Sequence, residues 1–254
     1  MTRNLKLTLE YEGTNYLGWQ RQPQGLTIQE ALETAVREIT GETVQVIGAS
    51  RTDAGVHARG QAANFATASP LPPERFRGAL NALLPRDIAV LECVEVPESF
   101  NARFAAKGKL YEYTIWNQRV RPALQRDFCW HVRWETDLDR LQEASAMVVG
   151  EHDFSAFRSA NSDIETTVRT MFRAEWRREG PRLLFQIEGN GFLYNMVRAV
   201  TGTLIDVGRG KISLDGFRRI LESKDRALAG RTAPAQGLCL VRVDYDPLPS
   251  VTPQ

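Results

Sequence analysis

Long apolar runs are missing from this 254-residue sequence, and no stretch approaches the roughly 18 residues that a membrane span requires. The opening Met1-Thr2-Arg3-Asn4-Leu5-Lys6 leads into no apolar h-region. No signal peptide is therefore expected, and the cytoplasm is the expected home. Cysteine is scarce: Cys93, Cys129 and Cys239 are odd in number, far apart and free of any C-x-x-C pair. That excludes a disulfide framework and a zinc site. The three histidines, His57, His131 and His152, show no H-x-x-x-H spacing, so no metal is expected. Charge of one sign is also lacking, since 32 basic residues meet 31 acidic ones for a net +1. Bulk charge gives no polyanion signature. Lysine is nearly absent at five residues, which leaves 27 arginines. The planar guanidinium fork suits phosphates and base edges, although a GC-rich genome produces the same bias. What remains, 43% hydrophobic and 25% charged, is an ordinary globular composition, long enough for one large domain or two modest ones.

Period-two alternation of Leu5, Leu7, Leu9 and Tyr11 predicts a strand. The capping box Thr27-Ile28-Gln29-Glu30 predicts a helix with Ile28, Ala31, Leu32, Ala35, Val36 and Ile39 on one face and Gly41 at its end. The β-branched run Thr43 to Ile47 predicts the next strand. A helix from Glu74 to Leu84 follows the proline-rich break at 69–73, and Ile88 to Val96 is a further strand. Beyond it, alternation around Tyr111, Tyr113 and Ile115 predicts a strand, then a helix from Asp137 to Val149 closed by Gly150. Strands near Thr170 to Arg177 and Leu183 to Glu188, helices near Phe192 to Val207 and Leu214 to Leu221, and a strand from Leu238 to Tyr245 complete the chain. The pattern predicts two α+β halves, residues 1–104 and 105–254, with no flexible linker between them.

Three stretches carry the residues of interest. Ser50-Arg51-Thr52-Asp53-Ala54-Gly55-Val56-His57-Ala58 gathers a cation, a hydroxyl, a carboxylate and an imidazole into one loop after a predicted strand. Small residues beside the carboxylate admit a bulky substrate, while an Asx-turn would explain Asp53 without any function. Gly189 to Arg198 sets glycines before a helix and places Arg198 among Met196, Val197, Ala199 and Val200, where a charge needs an anionic partner. That partner is either a core carboxylate or Asp53. Ser99 to Lys109 has no acidic residue and carries Arg103, Lys107 and Lys109 beside Phe100 and Phe104. Gly208-Arg209-Gly210-Lys211 lacks the spacing of a P-loop and reads as a turn.

Arg51-Thr52-Asp53-Ala54-Gly55-Val56-His57-Ala58 resembles the signature of the tRNA pseudouridine synthase A family. So do Tyr11 to Gln20, Phe100-Asn101-Ala102-Arg103-Phe104, Tyr111-Glu112-Tyr113, Glu151-His152-Asp153-Phe154, Met196-Val197-Arg198 and Thr232 to Leu238. The blocks stand in the family's order over nearly the whole chain. The resemblance implies the pseudouridine synthase fold: two α+β halves with mainly antiparallel sheets meeting around a central basic cleft. It implies a homodimer that isomerises uridine in the anticodon stem-loop of tRNA, without metal or organic cofactor. By the same resemblance Asp53 corresponds to the nucleophile, Tyr111 to the tyrosine stacked on the target uracil, and Arg198 to the arginine paired with the aspartate. Arg51, Phe100, Asn101, Ala102, Arg103 and Phe104 correspond to RNA contacts. Two other readings compete. A catalytically inactive RNA-binding protein on the same scaffold would tolerate loss of Asp53. A metal-dependent nucleic-acid hydrolase would need clustered ligands that the sequence does not offer.

Overall fold

A computed structural model of the chain describes residues 2–159 and 166–246. Strand β1 is Arg3–Tyr11, helix α1 Ile28–Thr40, β2 Ile47–Gly48, β3 His57–Thr67, α2 Pro73–Leu83 and β4 Ile88–Val96. They are followed by β5 Gly108–Trp116, β6 Trp130–His131, α3 Leu138–Ala146, β7 Gly150–Asp153, β8 Val168–Glu179 and β9 Arg182–Gly189. The chain ends on α4 Met196–Gly208, α5 Leu214–Ser223 and β10 Leu238–Asp244. These elements divide between two compact units, one of residues up to Lys107 together with Leu240–Asp246, the other of Gly108–Cys239. The expected division at 104/105 put the last strand with the second half. The difference arises because β10 neighbours β3 in the sheet, and because Lys107 N–H donates to Asp244 O at 2.8 Å.

The first unit carries strands in the order β4-β1-β3-β10, with β2 added to β3. Registers Leu5↔Phe65, Leu7↔Ala63 and Leu9↔Gln61 bring fully buried side chains to one face. Phe76 of α2 meets Phe65 there, ring centres 5.6 Å apart. Helix α1 forms as its signals predict: Thr27 Oγ1 accepts from Glu30 N–H, and Gly41 in the left-handed region donates to Arg37 O. The expected strand at 43–47 shrinks to Ile47–Gly48. Side chains of α1 occupy the backbone just before it: Val46 N–H donates to Glu33 Oε1 and Val46 O accepts from Gln29 Nε2. The other face of β1 and β3 is covered by residues 97–104. Asn4 Nδ2 donates to Phe100 O at 2.8 Å and to Pro97 O, while Asn64 Oδ1 accepts from Ala102 N–H at 2.8 Å.

The second unit orders its strands β5-β9-β8-β7, with β6 parallel beside β5 and the other pairings antiparallel. Tyr111↔Ile187, Tyr113↔Phe185 and Trp176↔Phe185 line its apolar face, the last two rings stacking at 4.7 Å. Helix α4 is buried along nearly its whole length, with Arg198 and Asp206 as its two charged, part-buried residues. Gly202 is required by close approach, since a Cβ there would stand 1.8 Å from Arg231 O. The expected helix 137–149 ends at Ala146, and Gly150, at φ +102°, opens β7 instead of closing a helix. Among the described residues no helix is long and apolar enough to cross a membrane.

Candidate active site

Asp53 lies in the connection from β2 to β3, half-buried, between exposed Arg51 and exposed Ala54. The connection is short of regular structure yet braced at almost every step. Thr52 is buried and its hydroxyl shares a 2.8 Å hydrogen bond with Tyr11 OH. Thr52 O accepts from Trp19 N–H at 3.0 Å, and Gly55 N–H donates to Tyr16 O at 3.3 Å. Gln61 clamps the entry, its Oε1 accepting from Ser50 N–H and its Nε2 donating to Ser50 O. His57 Nδ1 accepts from Gly13 N–H at 3.0 Å, which fixes the exit and the tautomer of a buried ring. Gly18, at φ +87°, passes beneath the loop. A Cβ there would stand 2.5 Å from Thr52 O and 3.0 Å from the Asp53 carbonyl carbon. Residues 13–20 are thus the bed on which the carboxylate-bearing loop is laid, a role the sequence did not assign to them.

The remaining sequence-predicted positions of this unit divide by exposure. Ala102 is fully buried against Ala49 and Ala62, with Phe100, Val243 and Tyr245 around it. Phe100 meets the Tyr245 ring at 5.1 Å. Asn101 Oδ1 accepts from Arg103 and Phe104 N–H, making an Asx turn. Arg103 and Phe104 are held out to solvent at that turn, with Phe104 76% exposed and the Arg103 guanidinium 5.5 Å from its ring centre. Burial first, then the nearby Arg103 charge, lowers the Arg51 pKa from its ordinary value. Exposed cations and one exposed ring thus rest on a base of Phe100, Asn101 and Ala102. Asn4, Asn64 and Tyr245 fasten that base, and sequence reading missed all three.

Tyr111 and Arg198 belong to the second unit. Tyr111, on β5, is 5% exposed and meets Phe192 edge-on at 5.1 Å. Arg198 occupies the first turn of α4, half-buried, and its guanidinium bonds to neighbours within its own unit. Nε donates to Ala233 O at 2.8 Å, and Nη1 donates to Asn195 Oδ1 at 2.7 Å. Ala233 N–H in turn donates to Arg198 O, so the segment after Arg231 is stitched to the helix. Tyr113 OH donates to Pro234 O at 2.6 Å. Burial pushes this phenol far above its ordinary range, although Arg198 and Arg231 pull it the other way, so it stays a neutral donor. Among the described residues no group of three or more His, Cys, Asp or Glu could hold a metal ion.

Residues 8–105 and 144–246 match a family model described as tRNA pseudouridine synthase. Over 243 residues, 96% of this chain and all of the relative, the sequence is 51% identical to tRNA pseudouridine synthase A of Acetivibrio thermocellus. Over the same span it is 49% identical to the protein so named in Geotalea uraniireducens and 46% to that of Clostridium acetobutylicum. A chain from a solved Cbf5–Nop10–Gar1 complex aligns with TM-score 0.41 and 13% identity, covering 93% of this chain and 48% of that one.

Proposed function

The chain belongs to the tRNA pseudouridine synthase family, and from that premise we infer that it converts uridine to pseudouridine in tRNA, acting on the anticodon stem-loop. Asp53 is the nucleophile, Tyr111 the ring on which the target uracil stacks, and Arg198 the cation that keeps the carboxylate ionised. The observation that carries this reading is the bracing around Asp53. A loop fastened by Tyr11, Gly13, Tyr16, Trp19 and Gln61 holds a half-buried carboxylate in one place. A surface Asx turn needs no such frame.

The reaction breaks the bond from ribose C1′ to uracil N1 and makes one from C1′ to C5. N1 ends protonated and the C5 proton leaves to a base. The balance closes within the nucleotide, so no oxidant or reductant is called for. The detached uracil must be held and shielded from water while it turns, which suits the low exposure of Tyr111 and its Phe192 wall. Asp53 attacks either the ribose or the pyrimidine ring, and Tyr111 is a candidate acceptor for the C5 proton. Arg51, Arg103 and Phe104 contact the RNA, on the base built by Phe100, Asn101 and Ala102. Two copies of the chain form the active unit, since residues 1–104 carry 10 basic and 12 acidic side chains and the remainder 22 and 19. A two-fold axis joins the positive patches of both. The cytoplasm, where tRNA is modified, is the site of action.

The test is Asp53→Asn, which keeps size and removes charge. Pseudouridine formed in a tRNA transcript is expected to vanish while tRNA affinity stays within a few-fold. Normal turnover by this variant rejects the nucleophile. Absence of turnover in the wild-type protein on every tRNA tried favours the non-catalytic RNA-binding alternative.

A further inference from the structure

We propose that Asn195 is a positioning residue that aims the Arg198 guanidinium, an inference that rests on the reading of Arg198 as the cation of the reaction. Asn195 stands at the N-cap of α4, where an asparagine ordinarily turns its side chain onto the first-turn backbone. Here it makes no such bond. Its Oδ1 accepts from Arg198 Nη1 at 2.7 Å, and its Nδ2 donates to Ser159 Oγ at 2.9 Å. The chemistry fixes the amide's orientation, because a guanidinium only donates and must face the oxygen. The backbone is bent to suit: Asn195 has φ +61° and ψ +3°, one of two described non-glycine residues at positive φ.

These features have one explanation in common. A cation in the first helical turn faces the positive end of the helix dipole, which disfavours it there. The Asn195 and Ala233 oxygens offset that by engaging Nη1 and Nε. Two fixed nitrogens of a planar fork set the direction of the third, Nη2. Asn195 thereby gives up helix capping and a relaxed backbone to orient a side chain, a local concession of the sort found at functional sites. Ser159 anchors the amide from behind, and Ser159 N–H donates to Tyr194 O, so the clamp is closed on both sides.

Asn195→Gly is the informative variant, since glycine adopts φ +61° without strain and removes only the amide. Expected are a fall in kcat of tenfold or more, KM for tRNA within threefold, and a melting temperature close to wild type. Asn195→Asp also tolerates this backbone, and its carboxylate competes for Arg198, so its kcat falls at least as far. The decisive readout is a double-mutant cycle with Arg198→Lys under single-turnover conditions. If Asn195 acts through the guanidinium, Asn195→Gly has under twofold effect once that guanidinium is gone. An equal loss in both backgrounds, or unchanged kcat in Asn195→Gly, overturns the proposal. Full activity in Arg198→Lys alone overturns the role given to Arg198 itself, a separate failure.

Discussion

Two glycines share a positive φ and differ in what surrounds them, which makes the support beneath Asp53 measurable. Gly41, at φ +75°, ends α1 with nothing within 4 Å of where a Cβ would be. Gly18, at φ +87°, would bring its Cβ to 2.5 Å from Thr52 O and 3.1 Å from Ala54 N. Alanine at either position carries the left-handed penalty of about 1–2 kcal/mol. Only Gly18→Ala adds overlap with backbone, costing about 1–3 kcal/mol more. At about 2–4 °C per kcal/mol for a chain of this size, Gly41→Ala is expected to melt about 2–8 °C early and Gly18→Ala about 4–20 °C early. Activity separates them further. Opening the 2.5 Å contact to 3.0 Å, the near limit for real Cβ contacts, moves the Thr52–Asp53 peptide by about 0.5 Å. With roughly a hundredfold loss per ångström of misplacement, kcat should fall about tenfold in Gly18→Ala and stay unchanged in Gly41→Ala. The assay is thermal melting plus pseudouridine formation in a tRNA transcript, both variants side by side. Equal melting losses together with kcat within twofold of wild type in Gly18→Ala refute the buttress.

Affinity for tRNA is expected to fall steeply with added salt; Arg103→Gln lowers the slope of log K against log salt by about one, while Phe104→Ala weakens binding with the slope unchanged. Matching slopes in wild type and Arg103→Gln exclude a phosphate contact at Arg103. Sedimentation near the working concentration should find a dimer, and a fully active monomer rejects that reading. Burial, opposed by Arg3 and Arg77 and aided by Glu92, pushes the Cys93 thiol up to about 11. Its thiolate fraction at pH 8 is therefore about 10⁻³, and alkylation by iodoacetamide should be far slower in the native protein than after unfolding. Equal labelling of the Cys93 peptide in both states contradicts the burial.

What the sequence revealed was chiefly local. The Thr27 cap, Gly41, and the Ile88–Val96 strand all stand where propensity and punctuation put them, because the deciding interactions lie within a few residues. The long strand β3, His-Ala-Arg-Gly-Gln-Ala-Ala-Asn-Phe-Ala-Thr, escaped notice. Alanine has little β-propensity, and this strand exists because β1 and β10 flank it. Thr43 to Val46 erred the other way, since Gln29 and Glu33 reach across from α1 and take the Val46 backbone. At the site, Asp53 was visible as a carboxylate among small residues. The groups that hold the machinery were not: Asn4, Asn64, Gln61 and Asn195 act on partners distant in sequence or in an unusual backbone state. An amide has no periodicity to betray it. Asn195 was expected inside a helix starting near Phe192, whereas α4 starts at Met196 and leaves Asn195 at its N-cap in a left-handed conformation that periodicity does not signal.

The membership of Leu240–Asp246 in the first unit sets a timetable for synthesis. The ribosome delivers β1, β3 and the Asp53 loop early, yet the strand that neighbours β3 emerges nearly last. Until then the side of β3 away from β1 has only the two-residue β2 against it, an edge open to wrong pairing. Tyr245, whose hydroxyl donates to Ala102 O and whose ring backs Phe100, arrives with the same late segment. The unit that begins the chain is therefore completed by the end of it. A nascent chain halted at residue 239 holds every described residue of its second unit and an unfinished first one.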